Sequence, residues 1–517
     1  TQGKTLGDYW LNNHNHKFIY LGSGLEGSPV PEIPGGMALA LLFGFGVSYL
    51  KRIRNASMDS RLRGNDRWGK LPKLLTLLVI AFAGLFCVTP ILANAGSDLN
   101  GDGYPDIVFS NYYNGSTRNI NSYIYWGASG GAYTSTNKTQ LATNGSEGNS
   151  IADFNNDGYL DLVFLGVYND STYNFNSLIY WGSSSGPYST TTGLPGQGAY
   201  NSSVADLNSD GYLDIVISNN WNGTSGNINS YIYWGSSSGP YSTKTELSTL
   251  GAGGNSIADL NSDGYLDIVF SNGSNGTSGN INSYIYWGAS SSPYSTKTDL
   301  ATMSAGLNSI ADLNNDNYLD IVFSNFSNGS NVNTNSYIYW GASSGPYSTK
   351  TDLATSGSSG NSIADLNNDG YLDIVFSNYR NGSTNNINSY IYWGASSGPY
   401  STRTELAGSG SYRNSIADLN SDGYLDIVIS NYYNGTSYNI NSYVYWGSAI
   451  GPYSTKTELP TMGGDGVSIA GTNIFGSDSS GGNAIPLWAT QGGYSWGLLT
   501  SPEYQLVAVK NEQLNSG

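Results

Sequence analysis

The chain has 517 residues and a formal charge of −17, yet only 11% of its residues are charged while 68 are glycine. So turn-rich a composition points to an all-β protein, and the lack of a basic stripe excludes nucleic acid as a partner. Its single cysteine, Cys87, and both histidines, His14 and His16, lie upstream of residue 96. The remainder therefore has no disulfide, no Cys-His or Ser-His-Asp nucleophile, and no imidazole or thiolate zinc site.

Residues 1–57 come first. Val30-Pro-Glu-Ile-Pro-Gly35, the apolar run Met37 to Leu50 and Lys51-Arg-Ile-Arg54 resemble a PEP-CTERM sorting signal of exported bacterial proteins. Ile33 interrupts the usual Pro-Glu-Pro, and such a signal belongs at a C-terminus, so the segment is left unassigned. Residues 58–95 read as a secretion signal: basic residues from Arg61 to Lys73, an apolar run from Leu74 to Val88, and the small-residue cleavage site Ala93-Asn-Ala95. A retained membrane anchor is the alternative. The expected location is secreted, or on the surface of a bacterial cell, with the membrane involved only through that segment.

From residue 96 to 476 the pattern Asp-x-Asn-x-Asp-Gly-x-x-Asp recurs seven times, at a spacing of 55 and then five times 53. Oxygen-bearing side chains at positions 1, 3, 5 and 9, with a backbone carbonyl at position 7, make the donor set a hard cation needs. The candidate Ca²⁺ ligands at those five positions are Asp98, Asn100, Asp102, Tyr104 and Asp106 in the first copy, and Asp153, Asn155, Asp157, Tyr159 and Asp161 in the second. Asp206, Asn208, Asp210, Tyr212 and Asp214 follow, then Asp259, Asn261, Asp263, Tyr265 and Asp267. The last three sets are Asp312, Asn314, Asp316, Tyr318 and Asp320; Asp365, Asn367, Asp369, Tyr371 and Asp373; and Asp418, Asn420, Asp422, Tyr424 and Asp426. An EF-hand would carry Glu at position 12 and a helix after it, whereas here that position is Phe or Ile inside a β-rich run. In the fifth copy Asn317 replaces Gly at position 6, and Asn tolerates the left-handed turn required there. Residues 96–517 hold 10 basic against 32 acidic residues, and 21 of the acids are motif aspartates. Seven Ca²⁺ would bring the −22 of this region to −8, so the acidity is metal-ligand chemistry.

Each period holds four β-rich pieces, in one copy Asn255–Ala258, Tyr265–Asn272, Asn282–Trp287 and Tyr294–Leu300. Four short strands per 40 to 55 residues predict a β-propeller blade, hence seven blades of four strands. The first copy lacks its first strand, while Gly466–Ala470 repeats that strand after the seventh. The C-terminal strand is thus predicted to complete blade 1 and close the ring. The chain resembles the FG-GAP and VCBS repeat family, which includes the integrin α-subunit head, and the Asp loop is the specific part of the resemblance. It implies calcium-binding propeller blades. The Phe-Gly and Gly-Ala-Pro elements of the integrin version are replaced by Phe-Ser-Asn and Tyr-Trp-Gly. Residues 477–517 follow no period and are unassigned.

Variation among the copies concentrates after Ser-Asn, at Tyr112, Tyr113, Tyr168, Trp221, Phe326, Tyr379, Arg380, Tyr432 and Tyr433. Blade connectivity places these on the face opposite the Asp loops, where aromatic side chains suit a sugar ring or a protein partner. Trp126, Trp181, Trp234, Trp287, Trp340, Trp393 and Trp446 repeat unchanged and are assigned to packing between blades. The predicted function is a non-catalytic, calcium-stabilised binding or adhesion module for an extracellular polysaccharide or protein. Alternatives are a calcium-dependent polysaccharide lyase or hydrolase, for which the unpaired acids Glu147, Asp170 and Asp465 are the candidates, and a structural spacer of a larger surface protein.

Overall fold

The computed structural model describes residues 98–469 except the turn segments 185–187, 238–240, 276–279, 292, 344–346, 397–399 and 450–452, together with the paired strands Tyr494–Ser495 and Val509–Lys510. The sorting-signal-like segment, the secretion signal and nearly all of 477–517 lie outside the described residues. Among the described residues there is no helix. Seven four-stranded antiparallel sheets form a propeller. The first strand of every sheet touches its counterpart in both neighbouring sheets, all the way round, so the first strands line the axis and the ring is closed.

Closure occurs where the repeats predict it. Gly464–Ile469 pairs antiparallel with Ile107–Asn111, with Ile107 opposite Ile469 and Phe109 opposite Val467. Blade 1 is therefore built from both ends of the repeat region, and Ile107–Asn111 is paired on both sides instead of standing as an open edge. Blades 2 to 7 are each continuous in sequence, with inner strands Ser146–Ala152, Ala199–Ala205, Ala252–Ala258, Ala305–Ala311, Ser358–Ala364 and Ser411–Ala417.

Two strand starts in blade 4 lie three residues from those read off the sequence, for local reasons; the second strand starts two residues later, at Asp267, and the ends of the third and fourth move by one. In blade 4 the inner strand starts at Ala252, three residues early, and a register shift between Ala252 and Gly254 admits the extra residue. The outer strand starts at Lys297, not Tyr294. Tyr294 sits in the left-handed region at φ 61°, as do Tyr241, Tyr347, Tyr400 and Tyr453 in other blades. Its buried ring and its hydroxyl, which donates to the carbonyl of Leu266 at 3.1 Å, hold a backbone conformation that Tyr seldom adopts.

The core lies between blades. Val163, Ile179 and Leu194 of blade 2, for example, pack on Ala199, Val204, Ile215 and Ile217 of blade 3, with Trp181 at the edge. Each indole N–H is bound within its own blade, as from Trp287 Nε1 to Thr298 Oγ1 at 3.0 Å. Polar pairs tie inner strands to the second strand of the preceding blade: Asn255 Nδ2 donates to Ser218 Oγ at 2.7 Å, and Asn308, Asn361 and Asn414 do likewise to Ser271, Ser324 and Ser377. On the outer strands a Lys or Arg lies over a Tyr ring and pairs with the acid two residues on, as Lys244 does with Tyr231 and Glu246. Glu246, Asp299, Asp352, Glu405 and Glu458 are all held in such pairs, which charge the exposed edges.

Candidate functional site

The Asp loops join the first strand of each blade to the second. In the fourth copy Asp259 accepts the amides of Asp263 and Gly264 at 3.1 and 2.9 Å, Asn261 Oδ1 accepts the amide of Asp263 at 3.0 Å, and Asp263 Oδ1 accepts that of Tyr265 at 2.9 Å. These bonds wind the loop around its own carboxylates. Residue 4 of the loop is also left-handed, from Asn156 at φ 57° to Ser421 at 59°, and Gly101 takes that place in the first copy. Asn317 at position 6 adopts φ 70° and donates its amide to Asp312 as Gly does elsewhere.

Position 9 is different in kind. Asp267 is fully buried, and its two oxygens accept the amides of Leu260 at 2.9 Å and of Gly288 at 2.7 Å. Gly288 belongs to Tyr-Trp-Gly, so this aspartate clamps the Asp loop to the turn between strands three and four, and both emerge on one face. Asp106, Asp161, Asp214, Asp320, Asp373 and Asp426 repeat the clamp. Burial pushes the Asp267 carboxyl up to about 7, and the neighbouring Asp263 and Asp259 add to the rise against the two amides.

The donor chemistry at positions 1, 3 and 5 fits a hard cation: every side chain offers oxygen, the sites face solvent, and each carboxylate oxygen has lone pairs beyond the amide bond it accepts. Among the described residues, no three His, Cys, Asp or Glu side chains are drawn together into a ready metal centre. The loop amides already hold the carboxylates in position. The Tyr104, Tyr159, Tyr265 and Tyr318 side chains at position 7 point outward and are exposed.

On the opposite face the loops between strands two and three meet the links between blades: the Tyr112 amide donates to Gly463 O at 3.1 Å, and the Gly145 amide to Arg118 O at 2.8 Å. Here most of the variable aromatics converge, with Trp221 apart and Tyr168 joined through Arg118. Tyr432 lies 6.0 Å from Tyr112, 5.9 Å from Tyr379 and 5.2 Å from Tyr438, measured between ring centroids. Tyr113 and Tyr433 both contact Tyr438, and Phe326 lies 6.0 Å from Tyr379. Arg118 covers Tyr112, Tyr113 and Tyr168 and pairs with Asp170 at 2.9 Å, joining blades 1 and 2. Arg380 sits over Phe326, and Trp221 is half-buried in the blade 3 loop.

Beneath the tyrosines lies a cluster that sequence reasoning did not assemble. At the second and third positions of the inner strands, blades 2, 3, 7 and 1 carry Glu147, Tyr200-Asn201, Tyr412-Arg413 and Asp465, where blades 4 to 6 carry Gly253-Gly254, Gly306-Leu307 and Ser359-Gly360. Arg413 donates to Asn201 Oδ1 at 2.7 Å and to the Tyr200 carbonyl at 2.8 Å, and its Nε lies 3.5 Å from Asp465 Oδ1. The Tyr200 and Tyr412 hydroxyls are hydrogen-bonded to each other. Glu147 Oε2 is buried without a hydrogen-bond partner. Burial raises the Glu147 carboxyl to about 7, with Arg413 opposing, and also pushes Asp465 well above the usual carboxylate range, with Glu147 adding to it and Arg413 opposing. Of the three acids that had no partner in the sequence, Glu147 and Asp465 thus share Arg413 at the axis, while Asp170 belongs to the outer pair with Arg118. The available signal was the break in the repeat at these positions, shared by Tyr200, Tyr412, Tyr173 and Tyr438.

A comparison with curated protein sequences found no match. Among solved structures, BBS1N in complex with ARL6DN is similar at 13% identity and a TM-score of 0.31, over 51% of this chain and 66% of that one. The V. cholerae biofilm matrix protein Bap1 is similar at 14% identity and a TM-score of 0.30, over 67% of this chain and 72% of that one. The sequence matches the FG-GAP-like repeat over residues 98–164, 153–217, 206–270, 312–376 and 365–429, together more than half its length. With the seven closed blades and their recurrent Asp loops, this establishes that the chain belongs to the FG-GAP-like repeat family.

Proposed function

We propose that the protein is a non-catalytic binding module whose tyrosine-rich face engages an extracellular polysaccharide or protein, and whose Asp loops bind Ca²⁺. The carrying observation is the convergence of Phe326, Tyr379, Tyr432, Tyr433, Tyr112 and Tyr113, with Tyr412 and Tyr438, into one connected group of rings across blades 5, 6, 7 and 1, on the face away from the Asp loops. The half-buried Tyr113, Tyr379, Tyr432 and Tyr433 offer part of their rings and their hydroxyls to a ligand, the combination that stacks on sugars or anchors a protein contact. An extracellular setting, secreted or on a bacterial surface, rests on the secretion-signal pattern in 58–95 and supplies the calcium.

Calcium would be held by positions 1, 3 and 5 of each loop, with the carbonyl of position 7 and the aspartate at 9 as further oxygens. Its contribution is to offset repulsion between carboxylates, about 4 kcal/mol per pair at close range and an effective dielectric near 20. A site at ten times its dissociation constant adds about 1.4 kcal/mol of stability.

The reading is tested on a glycan array probed with calcium present, followed by substitution of Tyr432 and Tyr379 by Ala. Loss of the array signal in those variants supports it. Full retention places the ligand elsewhere. The polysaccharide-cleaving alternative draws on one observation, the buried Glu147 and Asp465 carboxyls with their raised pKa values. Incubating any bound glycan and finding shortened product would favour it.

A further inference from the structure

Blade 2 departs from its six siblings at residues that lie together in space. In blades 1 and 3 to 7 an asparagine ends the second strand, and its carboxamide bridges two backbone groups. In blade 3, Asn219 Nδ2 donates to the Asn229 carbonyl at 2.8 Å, and Asn219 Oδ1 accepts the Gln197 amide at 3.1 Å. Asn111, Asn272, Asn325, Asn378 and Asn431 make the same two bonds. Blade 2 has Gly166 there. The backbone groups that a sibling asparagine would bridge are the Asn144 N–H, 22 residues before, and the Asn176 C=O, 10 residues after, by the offsets of the other blades.

Neighbouring substitutions remove cover from the same spot. Leu178 stands where the siblings have Tyr, and Thr191 and Gly193 stand where they have the Lys or Arg and the acid or Gln of the outer stripe. The result is a cavity of 390 Å³ whose lining includes Asn144, Gly166, Asn176, Phe164, Phe175 and Leu178. That volume lies within the range of small-ligand sites. The Phe175 ring edge reaches Gly166, 2.5 Å from where a Cβ would be, and forms an apolar wall in part of the vacated space. A second hollow of 210 Å³ shares Phe175 and Asn176 and continues to Tyr231 and Lys244.

We propose that this cavity is a binding subsite for the acetamido group of an N-acetylated hexosamine, within an oligosaccharide that extends along the second hollow. The proposal rests on the polysaccharide arm of the function above, names its sugar class and adds a subsite in blade 2, separate from the tyrosine group of blades 5, 6, 7 and 1. An acetamido group carries the same C=O and N–H pair as the missing asparagine side chain. Its carbonyl accepts from Asn144, its N–H donates to Asn176, and its methyl packs on the phenylalanine and leucine walls. A hydroxyl in that position offers no such planar donor and acceptor pair and leaves the apolar walls unfilled.

The test uses tri-N-acetylchitotriose and cellotriose in isothermal titration against the full chain. Binding of the first, at least about tenfold tighter than the second, is expected. The double variant Gly166→Asn with Phe175→Ile rebuilds the sibling blade and should abolish binding without lowering the melting temperature. Leu178→Tyr, which restores the sibling ring over the cavity without touching Gly166, should weaken binding about tenfold and serves if the double variant does not fold. Equal affinity for cellotriose, or unaltered binding in the variants, overturns the subsite. If the array shows glycans bound but none N-acetylated, the subsite fails and the broader function stands; if no glycan is bound at all, the polysaccharide arm fails with it.

Discussion

Arg413 in blade 7 donates to Asn201 Oδ1 in blade 3 at 2.7 Å, linking residues 212 apart in sequence and separated by two intervening blades at the axis. The same guanidinium faces Asp465 and Glu147, and all three side chains are buried. Arg413→Met removes that cation and leaves both carboxyls without it, so it is expected to destabilise the protein by about 3–5 kcal/mol in urea denaturation. Adding Glu147→Gln and Asp465→Asn should restore much of the loss. A single substitution without effect on the midpoint would mean that the cation contributes nothing to the ring.

Glu147 gives the fold a pH dependence of defined sign. Its carboxyl rises from 4.5 to about 7 on folding, chiefly through burial. The folded state thus favours the protonated form, and the stability this contributes is complete below pH 4.5 and lost as pH climbs through 7. Asp465, Arg413, Tyr200, Tyr412, Tyr432, Tyr112 and Arg118 make up its ionisable surroundings. Glu147→Gln does not titrate, so its melting temperature relative to wild type should increase across that interval, measured with calcium held constant. A difference that stays flat would place Glu147 outside the titrating set.

Chelation tests the Asp loops directly. If all seven bind, EDTA should lower the melting temperature by more than about 10 °C, since seven contributions of about 1.4 kcal/mol approach the stability of a whole domain. The loop amides would still hold each turn together, so the chelated protein is expected to melt cooperatively at its lower temperature. An identical melting curve with and without EDTA would remove calcium from the account.

The inner polar ladder offers a fourth case. Asn255→Ala strands the Ser218 hydroxyl and deletes a fully buried amide, at an expected cost of about 1–3 kcal/mol. The interface between blades 2 and 3 already contains the alternative, Leu165 facing an inner strand that carries Ser202 at the Asn position. Transplanting it as Ser218→Leu with Asn255→Ser should recover part of that stability in thermal melts. Equal instability in the single and double variants would show that the pair does not act as a unit.

Blade number, strand order and ring closure were legible because each depends on local patterns repeated at a fixed interval. The strand limit at Tyr294 was not, because a hydroxyl bond to Leu266 overrides the residue's preference for extended backbone. The clamp at position 9 was hidden for a related reason. Spacing alone marks Asp267 as a candidate ligand, and only the fold brings Gly288 to its second oxygen as well. Arg413, Glu147 and Asp465 come together across the axis, so no short-range pattern reports their proximity. Their departure from the repeat was visible, as was that of Gly166, but a single departure does not say what fills or leaves a space.

The pairing of Gly464–Ile469 with Ile107–Asn111 carries a consequence for biogenesis. A chain delivered N-terminus first cannot finish blade 1 until residue 469 has been released, some 360 residues after that blade begins. Until then the partly built ring gapes, with an unpaired strand at its first blade. The last few residues of the repeat region therefore work like a zip tag, cinching the ring only once the whole repeat array has been delivered.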